Sequence, residues 1–316
     1  MEPIVVVKER TALECVSDGL ETCMKLLGRW VRILWPLLLV YSLAAPLLLV
    51  WGMRRSFEAI MAGPGANAAL ADNPDALWQM SSLMVVFLVV GLMSLVVQAV
   101  IVVQQRHLAE QGFLPRVAWR ADAARVGKMV FRLFLLMLVM AILLIPFCIA
   151  PVFMIMGSAW LDARLSLGWL GNTGVLLVGF LLWLLLLTYV FSAYTQLTIE
   201  YMYGEKSLLA SLKSIDWGRR AWGHTTLVLF LAILAALLCE VLFNIPMAVV
   251  QLVDFLSVQS TLMGDGGQLP SYMPVVRFMV NALSCLGSCL GGVVVLFPLH
   301  FLWGSRKASA QPASEV

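Results

Sequence analysis

Residues 165–199 read LSLGWLGNTGVLLVGFLLWLLLLTYVFSAYTQLTI, with no Asp, Glu, Lys or Arg anywhere in the stretch. A helix needs about 20 apolar residues to cross a hydrocarbon core about 30 Å thick, and this run is longer than that. It lacks the period-2 alternation of a barrel strand. Lipid offers the backbone no hydrogen-bond partners, so an apolar run of this length has to be a helix. Four other charge-free runs, 33–53, 76–105, 133–161 and 278–305, read the same way, and 221–253 is broken only by Glu240. The expected spans lie near 31–52, 77–104, 130–156, 174–198, 225–250 and 276–303, which makes the chain an all-α polytopic membrane protein with six transmembrane helices.

The composition of the 316 residues agrees. Hydrophobic residues make up 61% and charged residues 12%, with a mean hydropathy of +0.93. A soluble domain is about 45–50% apolar and about 25% charged. Folding in water would leave too much apolar surface uncovered, which excludes a soluble enzyme, a disordered regulator and a disulfide-stapled secreted domain. The first span does not read as a cleaved signal: a stretch of mixed charge precedes it, and the apolar run exceeds the roughly 7–15 residues of a signal core.

Seventeen of the 21 Lys and Arg residues fall on one predicted side. Lys8, Arg10, Lys25, Arg29 and Arg32 precede the first span. Arg106, Arg116, Arg120, Arg125, Lys128 and Arg132 lie between the second and third, Lys206, Lys213, Arg219 and Arg220 between the fourth and fifth, and Arg306 and Lys307 after the sixth. Only Arg54, Arg55, Arg164 and Arg277 fall opposite. The positive-inside rule therefore puts both termini in the cytoplasm, with the protein in the inner (plasma) membrane. The net charge of +3 describes topology and is no nucleic-acid footprint, although the basic segments can touch anionic headgroups. Trp30, Trp51, Trp78, Trp160, Trp169, Trp217, Trp222 and Trp303 sit at or near the predicted span ends, the depth an indole prefers.

The spans come in matched pairs. Each unit, 11–107, 108–204 and 205–303, reads as a polar amphipathic segment, a span, a loop and a second span. Pro46, Pro146 and Pro246 recur late in the first span of each unit, where proline kinks a helix or marks its end. Two spans return the chain to its starting side, so the three tandem repeats are expected to be parallel. They form a single membrane domain over 1–316, with 304–316 expected as a disordered cytoplasmic tail.

Thr11-Ala12-Leu13-Glu14 is a capping box, and Leu13, Val16, Leu20, Met24 and Leu27 share one helical face behind it. Such a segment should lie in the interface before turning into the span. Leu114, Val117, Ala121, Ala124 and Val126 form a weaker version, and Leu208, Leu209, Leu212 and Ile215 a third, followed by Asp216-Trp217-Gly218-Arg219-Arg220. These faces suit interfacial anchoring or docking of a cytoplasmic partner.

The stretch from Thr11-Ala12-Leu13-Glu14 through Leu26-Leu27-Gly28-Arg29-Trp30 resembles the entry of a bacterial six-span membrane domain. Ile199-Glu200 followed by Ser207-Leu208-Leu209-Ala210-Ser211-Leu212-Lys213-Ser214 is similar to a glutamate that ends the fourth span there and the helix that follows it. That domain occurs fused to some glycerophosphodiester phosphodiesterases and alone in YciC-like proteins. The resemblance covers nearly the whole chain and implies its fold. The stretch after Trp303 is too short for the fused barrel, so lipid-headgroup chemistry is not carried over.

Catalytic signals are poor. No Walker loop, dinucleotide fingerprint, H-E-x-x-H or G-x-S-x-G occurs. His107, His224 and His300 lie far apart near span ends and suit packing or headgroup contact better than a metal site. Cys15, Cys23, Cys148, Cys239, Cys285 and Cys289 contain no C-x-x-C and read as small apolar packing residues. Asp265-Gly266-Gly267 is a turn signal. No cofactor is expected. The ionisable residue inside a span carries more weight. Glu240 has Asn244 one turn later on the same face, and Arg277 enters the sixth span from the far side and could pair with it. A membrane carboxylate costs about 2.5–3.5 kcal/mol on insertion scales and normally faces protein or water. The three residues are thus either a transport site or a buried polar contact. Gly287 and Gly291, at small-xxx-small spacing, read as a close helix-packing face, within the chain or in a homo-oligomer. The expected function is non-enzymatic: a membrane scaffold or partner protein in envelope or membrane homeostasis. A small transporter or channel built around Glu240 is the alternative.

Overall fold

The computed structural model describes residues 4–61, 74–112, 119–166, 168–204, 206–216, 218–262 and 269–310. Asp265-Gly266-Gly267, Trp217, Leu114 and Val117 lie outside them. The described residues form seven helices: α1 (Ala12–Met61), α2 (Pro74–Gln111), α3 (Trp119–Leu165), α4 (Gly168–Tyr203), α5 (Leu208–Lys213), α6 (Arg219–Leu262) and α7 (Met273–Ala310). All but α5 are long and apolar enough to cross a membrane, so the fold is all-α and the protein is a multi-pass membrane protein. α3 holds the most apolar of these stretches, with a mean hydropathy of 3.0 over its best window.

Several boundaries differ from the sequence reading. The amphipathic segment before the first span and the span itself form one unbroken helix, α1. Among the described residues, only the third segment yields a separate short helix, α5, with Ser207 as its N-cap accepting from the Ala210 amide. Pro46, Pro146 and Pro246 all lie inside helices that run well past them, to Met61, Leu165 and Leu262, so none marks a helix end. The tail from 304 is not disordered from its start: α7 continues to Ala310, because Gly304 and Ser305 are packed by the N-terminal segment. Residues 311–316 lie outside the described residues.

The chain divides into two compact units. The first comprises 1–21, 102–232 and 297–316. It is held together by polar ties between helix ends. Within α1 the capping box forms as expected, the Thr11 amide donating to Glu14 Oε2 (2.8 Å) and the Glu14 amide to Thr11 Oγ1 (3.4 Å). Before it, residues 4–10 run as a strap. The Ile4 amide donates to the Gly112 carbonyl (3.1 Å), and the Arg10 amide to Ser305 Oγ (3.0 Å). The Arg10 guanidinium lies over the Phe301 ring at 4.7 Å and donates to Asp18 and to the Val5 and Val6 carbonyls. Gly304 lets the Val6 carbonyl approach the α7 backbone, where a Cβ would collide. At Gly19 the same economy of size brings α1 against Pro298: a Cβ there would lie 2.7 Å from the proline nitrogen and 2.9 Å from its Cα.

The α3–α4 hairpin turns through Ser166 (φ 48°) and Gly168 (φ 66°), both in the left-handed region that favours glycine. Asp162 closes the turn, its carbonyl accepting from the Ser166 amide (2.8 Å) and its carboxylate from the Gly168 amide (3.1 Å). Deeper in, Pro151 has no N–H to give the Phe147 carbonyl one turn earlier. The Trp183 indole of α4 donates to that carbonyl instead (3.2 Å). Freed backbone groups in a membrane helix are commonly satisfied in this way by a neighbouring helix.

The second unit comprises 22–101 and 233–296. Its core includes Leu26, Trp30, Leu34, Leu38, Ile101, Cys285, Cys289 and Val293. α6 and α7 meet there at their small residues. A Cβ on Gly287 would collide with the Phe243 side chain, and one on Gly291 would come within 3.1 Å of Glu240 Cγ. The helix-packing face expected at Gly287 and Gly291 is therefore occupied by α6 of the same chain.

Of the apolar face expected on α1, Leu13 and Met24 point outward, Val16 is buried, and Leu20 and Leu27 are half-buried. In α1 the buried stripe is Ala12, Cys15, Val16, Gly19, Cys23 and Leu26, whereas Leu13 (69% exposed) and Met24 (70%) point outward. In α5 the small Ser211 is fully buried, while Leu209 (73% exposed) and Leu212 point out. At Gly19 the small residue permits the close approach to Pro298 that a larger side chain would block.

Candidate functional site

Glu240 lies midway along α6, in the second unit. Its side chain is half-buried, with Cγ and Oε1 against Gly291 of α7. One turn later, Asn244 donates from Nδ2 to the Glu240 backbone carbonyl (2.8 Å). Its Oδ1 accepts a hydrogen bond from the Ser284 hydroxyl of α7. The line Glu240–Asn244–Ser284 thus joins the two helices beside the Gly287 and Gly291 contacts. A hydrogen bond between membrane helices contributes on the order of 0.6 kcal/mol, so this line fixes register more than it adds stability.

Arg277 does not join that line. Its Nη2 pairs with Asp254 Oδ1 at 2.5 Å, toward the far ends of α6 and α7. The expected pairing with Glu240 is corrected on geometry. Arg277 lies near the start of α7 and Asp254 near the end of α6, so the antiparallel run of the two helices within the unit sets these residues together. Glu240 sits fourteen residues before Asp254 on α6, about 21 Å along the axis at 1.5 Å per residue. The site named from the sequence therefore divides into an intramembrane contact, Glu240 with Asn244, and a half-exposed ion pair nearer the membrane border. Among the described residues no three His, Cys, Asp or Glu side chains gather into a metal-binding group.

The first unit holds a denser polar core that the sequence reading missed. Gln104, Gln105, Gln196, Tyr203 and His300 are all buried. The Tyr203 hydroxyl donates to Gln105 Oε1 (2.7 Å). The Tyr203 ring lies 4.7 Å from the His300 imidazole, which is stacked on Trp303 at 6.0 Å. Around this core two arginines grip the end of α4. Arg106 donates to the Met202 and Gly204 carbonyls (2.7 and 3.1 Å), and Arg132 to the Tyr201 and Gly204 carbonyls (2.9 and 3.1 Å). These are carbonyls that a helix C-terminus leaves unsatisfied, and a cation there also suits the negative end of the helix dipole. His107, on the same stretch of α2, lies 3.1 Å from Arg125 and 3.6 Å from Asp122. Gln196 accepts from the Asp216 amide (3.0 Å), tying the α5–α6 connection to α4. The available signal was the run Gln104-Gln105-Arg106-His107 closing an apolar span, four hydrogen-bonding side chains in succession where a single interfacial residue would suffice.

Comparison with protein-family models, with curated proteins and with solved structures finds no match. The chemistry of the two polar clusters is therefore the ground for a functional reading. Both are built from groups that hold helices to helices: amides, hydroxyls and guanidinium groups bonded largely to backbone carbonyls.

Proposed function

We propose that the protein is a non-enzymatic scaffold of the inner membrane that holds a partner protein at its cytoplasmic end, in the service of membrane or envelope homeostasis. The orientation rests on the positive-inside bias, which leaves both termini and α5 in the cytoplasm. The observation that carries the reading is the apolar side chains these segments turn outward: Leu13 and Leu209 are exposed, while Arg106 and Arg132 are committed to backbone carbonyls at the end of α4. That is a rigid platform with apolar side chains presented outward, a form suited to docking. The resemblance to the six-span domain of YciC-like proteins, and the three tandem units it implies, belong to this proposal.

Transport is the competing reading, and it would use Glu240. Asn244, its neighbour, is engaged in bonding α6 to α7, which favours the scaffold. A photo-reactive residue at position 209 in living cells tests the proposal. A discrete protein adduct, lost when Leu212→Asp is added, is the expected result. Adducts to lipid alone would remove the scaffold reading, and uptake by proteoliposomes that Glu240→Gln abolishes would replace it with transport.

A further inference from the structure

We propose that the outward face of α1 binds one anionic phospholipid of the leaflet nearer the amino terminus, its phosphate held by Arg29 and Arg32 and an acyl chain lying along Pro36, Leu39 and Leu43. Positions 25, 29, 32, 36, 39 and 43 follow one another at steps of four and three, the spacing that stacks side chains in one line along a helix. All six residues on this line, from Lys25 to Leu43, are exposed. The buried residues of the same stretch, Leu26, Trp30, Leu34 and Leu38, lie on the other side of α1. The cations and the apolar positions therefore open in the same direction. α1 is long and apolar enough to span the membrane, so the apolar part of the line faces acyl chains and its charged end faces headgroups. From Arg32 to Leu43 is about 16 Å at 1.5 Å per residue, close to half of a hydrocarbon core about 30 Å thick.

The headgroup follows from three groups at the charged end of the line. Arg29 and Arg32 stand one turn apart, and no carboxylate lies within a turn of either along the helix. Neither enters an ion pair among the described residues. Two guanidinium groups without a counter-charge suit one phosphate, which each can meet with parallel hydrogen bonds. Gly28 leaves their flank open, since a Cβ there would meet nothing within 4 Å. The third group is an acceptor. α1 runs unbroken through Pro36, whose nitrogen carries no hydrogen for the Arg32 carbonyl one turn earlier. A carbonyl released in a membrane helix has to be met by a neighbour. Trp183 does this for Phe147 in the α3–α4 hairpin, whereas the Arg32 carbonyl opens on the lipid-facing line. Paired cations beside a released carbonyl match a headgroup that carries both a phosphate and a hydroxyl donor, as phosphatidylglycerol does. Trp35, exposed one turn after Arg32, marks the depth at which headgroups lie.

The test reconstitutes the full chain in nanodiscs of phosphatidylglycerol, phosphatidylmethanol and phosphatidylcholine in equal parts, and counts retained lipids by native mass spectrometry after gentle detergent extraction. Phosphatidylmethanol has the charge of phosphatidylglycerol but no headgroup hydroxyl. The wild type should keep one phosphatidylglycerol, several-fold over phosphatidylcholine and by a smaller margin over phosphatidylmethanol. Arg29→Gln combined with Arg32→Gln should lose the preference for both anionic lipids. Arg164→Gln, which removes an exposed cation at the end of α3, should behave as wild type. Pro36→Ala, which returns an N–H to the Arg32 carbonyl, should keep the preference for anionic lipid and lose the margin between phosphatidylglycerol and phosphatidylmethanol. Phosphatidylglycerol bearing a diazirine in its acyl chain gives an arm that needs no variant: adducts on the wild type should concentrate in 36–43. The proposal is overturned if the anionic preference survives the double variant, if Arg164→Gln lowers it equally, if Pro36→Ala leaves the margin unchanged, if adducts spread evenly over the spans or form with a partner protein's chain in place of lipid, or if inorganic phosphate alone displaces the lipid.

Discussion

Removing the indole N–H of Trp183 should weaken the α3–α4 hairpin, and the weakening should depend on Pro151. The Phe147 carbonyl has lost its ordinary partner to the proline ring and takes the Trp183 N–H at 3.2 Å in its place. Trp183→Phe keeps an aromatic ring, and with it the stacking on Phe180 (centroids 5.5 Å apart), but leaves the carbonyl bare in hydrocarbon. Hydrogen bonds between membrane helices average about 0.6 kcal/mol and reach about 1.7 kcal/mol. A carbonyl with no alternative partner belongs near the top of that range, so a loss of about 1–2 kcal/mol is expected. The assay is reversible unfolding in mixed micelles, run as a double-mutant cycle. Pro151→Ala returns a backbone N–H to the Phe147 carbonyl, so Trp183→Phe in that background should cost only the small change in packing. A coupling energy of about 1 kcal/mol is expected. If Trp183→Phe costs the same in the wild-type and Pro151→Ala backgrounds, the indole is not replacing the missing helix bond and the reasoning is refuted.

Gly19→Ala should destabilise the protein by about 1–3 kcal/mol, because its Cβ meets the fixed backbone of Pro298; Gly28→Ala, with nothing within 4 Å, is the matched control and should be neutral or slightly stabilising in the same unfolding assay. Gly287→Ala should cost a similar amount through the collision with Phe243 near its backbone, whereas Gly91→Ala, in open space, should not. Arg277→Gln should cost no more than about 1 kcal/mol, since its pair with Asp254 is a third or more exposed on both sides, and adding Asp254→Asn should change the midpoint little further. Glu240→Gln should fold normally and, under the scaffold reading, keep the photo-adduct at position 209; loss of the adduct without loss of fold would give Glu240 a working role.

The spans were legible because a charge-free run longer than the hydrocarbon core admits one structure. The capping box at Thr11 and Glu14 was legible for a similar reason: its partners are three residues apart and the geometry is local. Which face of each amphipathic segment turns inward was not legible. Helical spacing groups Val16 with Leu13 and Met24, yet Val16 is buried with Cys15 and Gly19 while the other two are exposed, because where neighbours pack against a helix is set by tertiary contact and not by its own period. Cys15 and Gly19 were the better guide. Within the site, the Glu240–Asn244 neighbourhood followed from one helical turn. The partner of Arg277 did not, because α6 carries two carboxylates and only the antiparallel register of α6 and α7 selects Asp254 over Glu240.

The strap over 4–10 has a consequence for how the chain is made. Arg10 and Ser305 bond across 295 positions of sequence, so the part of the strap's seat that α7 supplies is present only once that helix has been synthesised. Through nearly all of translation the Arg10 guanidinium has neither Phe301 to lie over nor Ser305 to meet, and α1 has no Pro298 against Gly19. Loss of α7 should therefore free Arg10 of two of its contacts and leave Gly19 without its neighbour, which faster proteolysis within residues 4–10 would report.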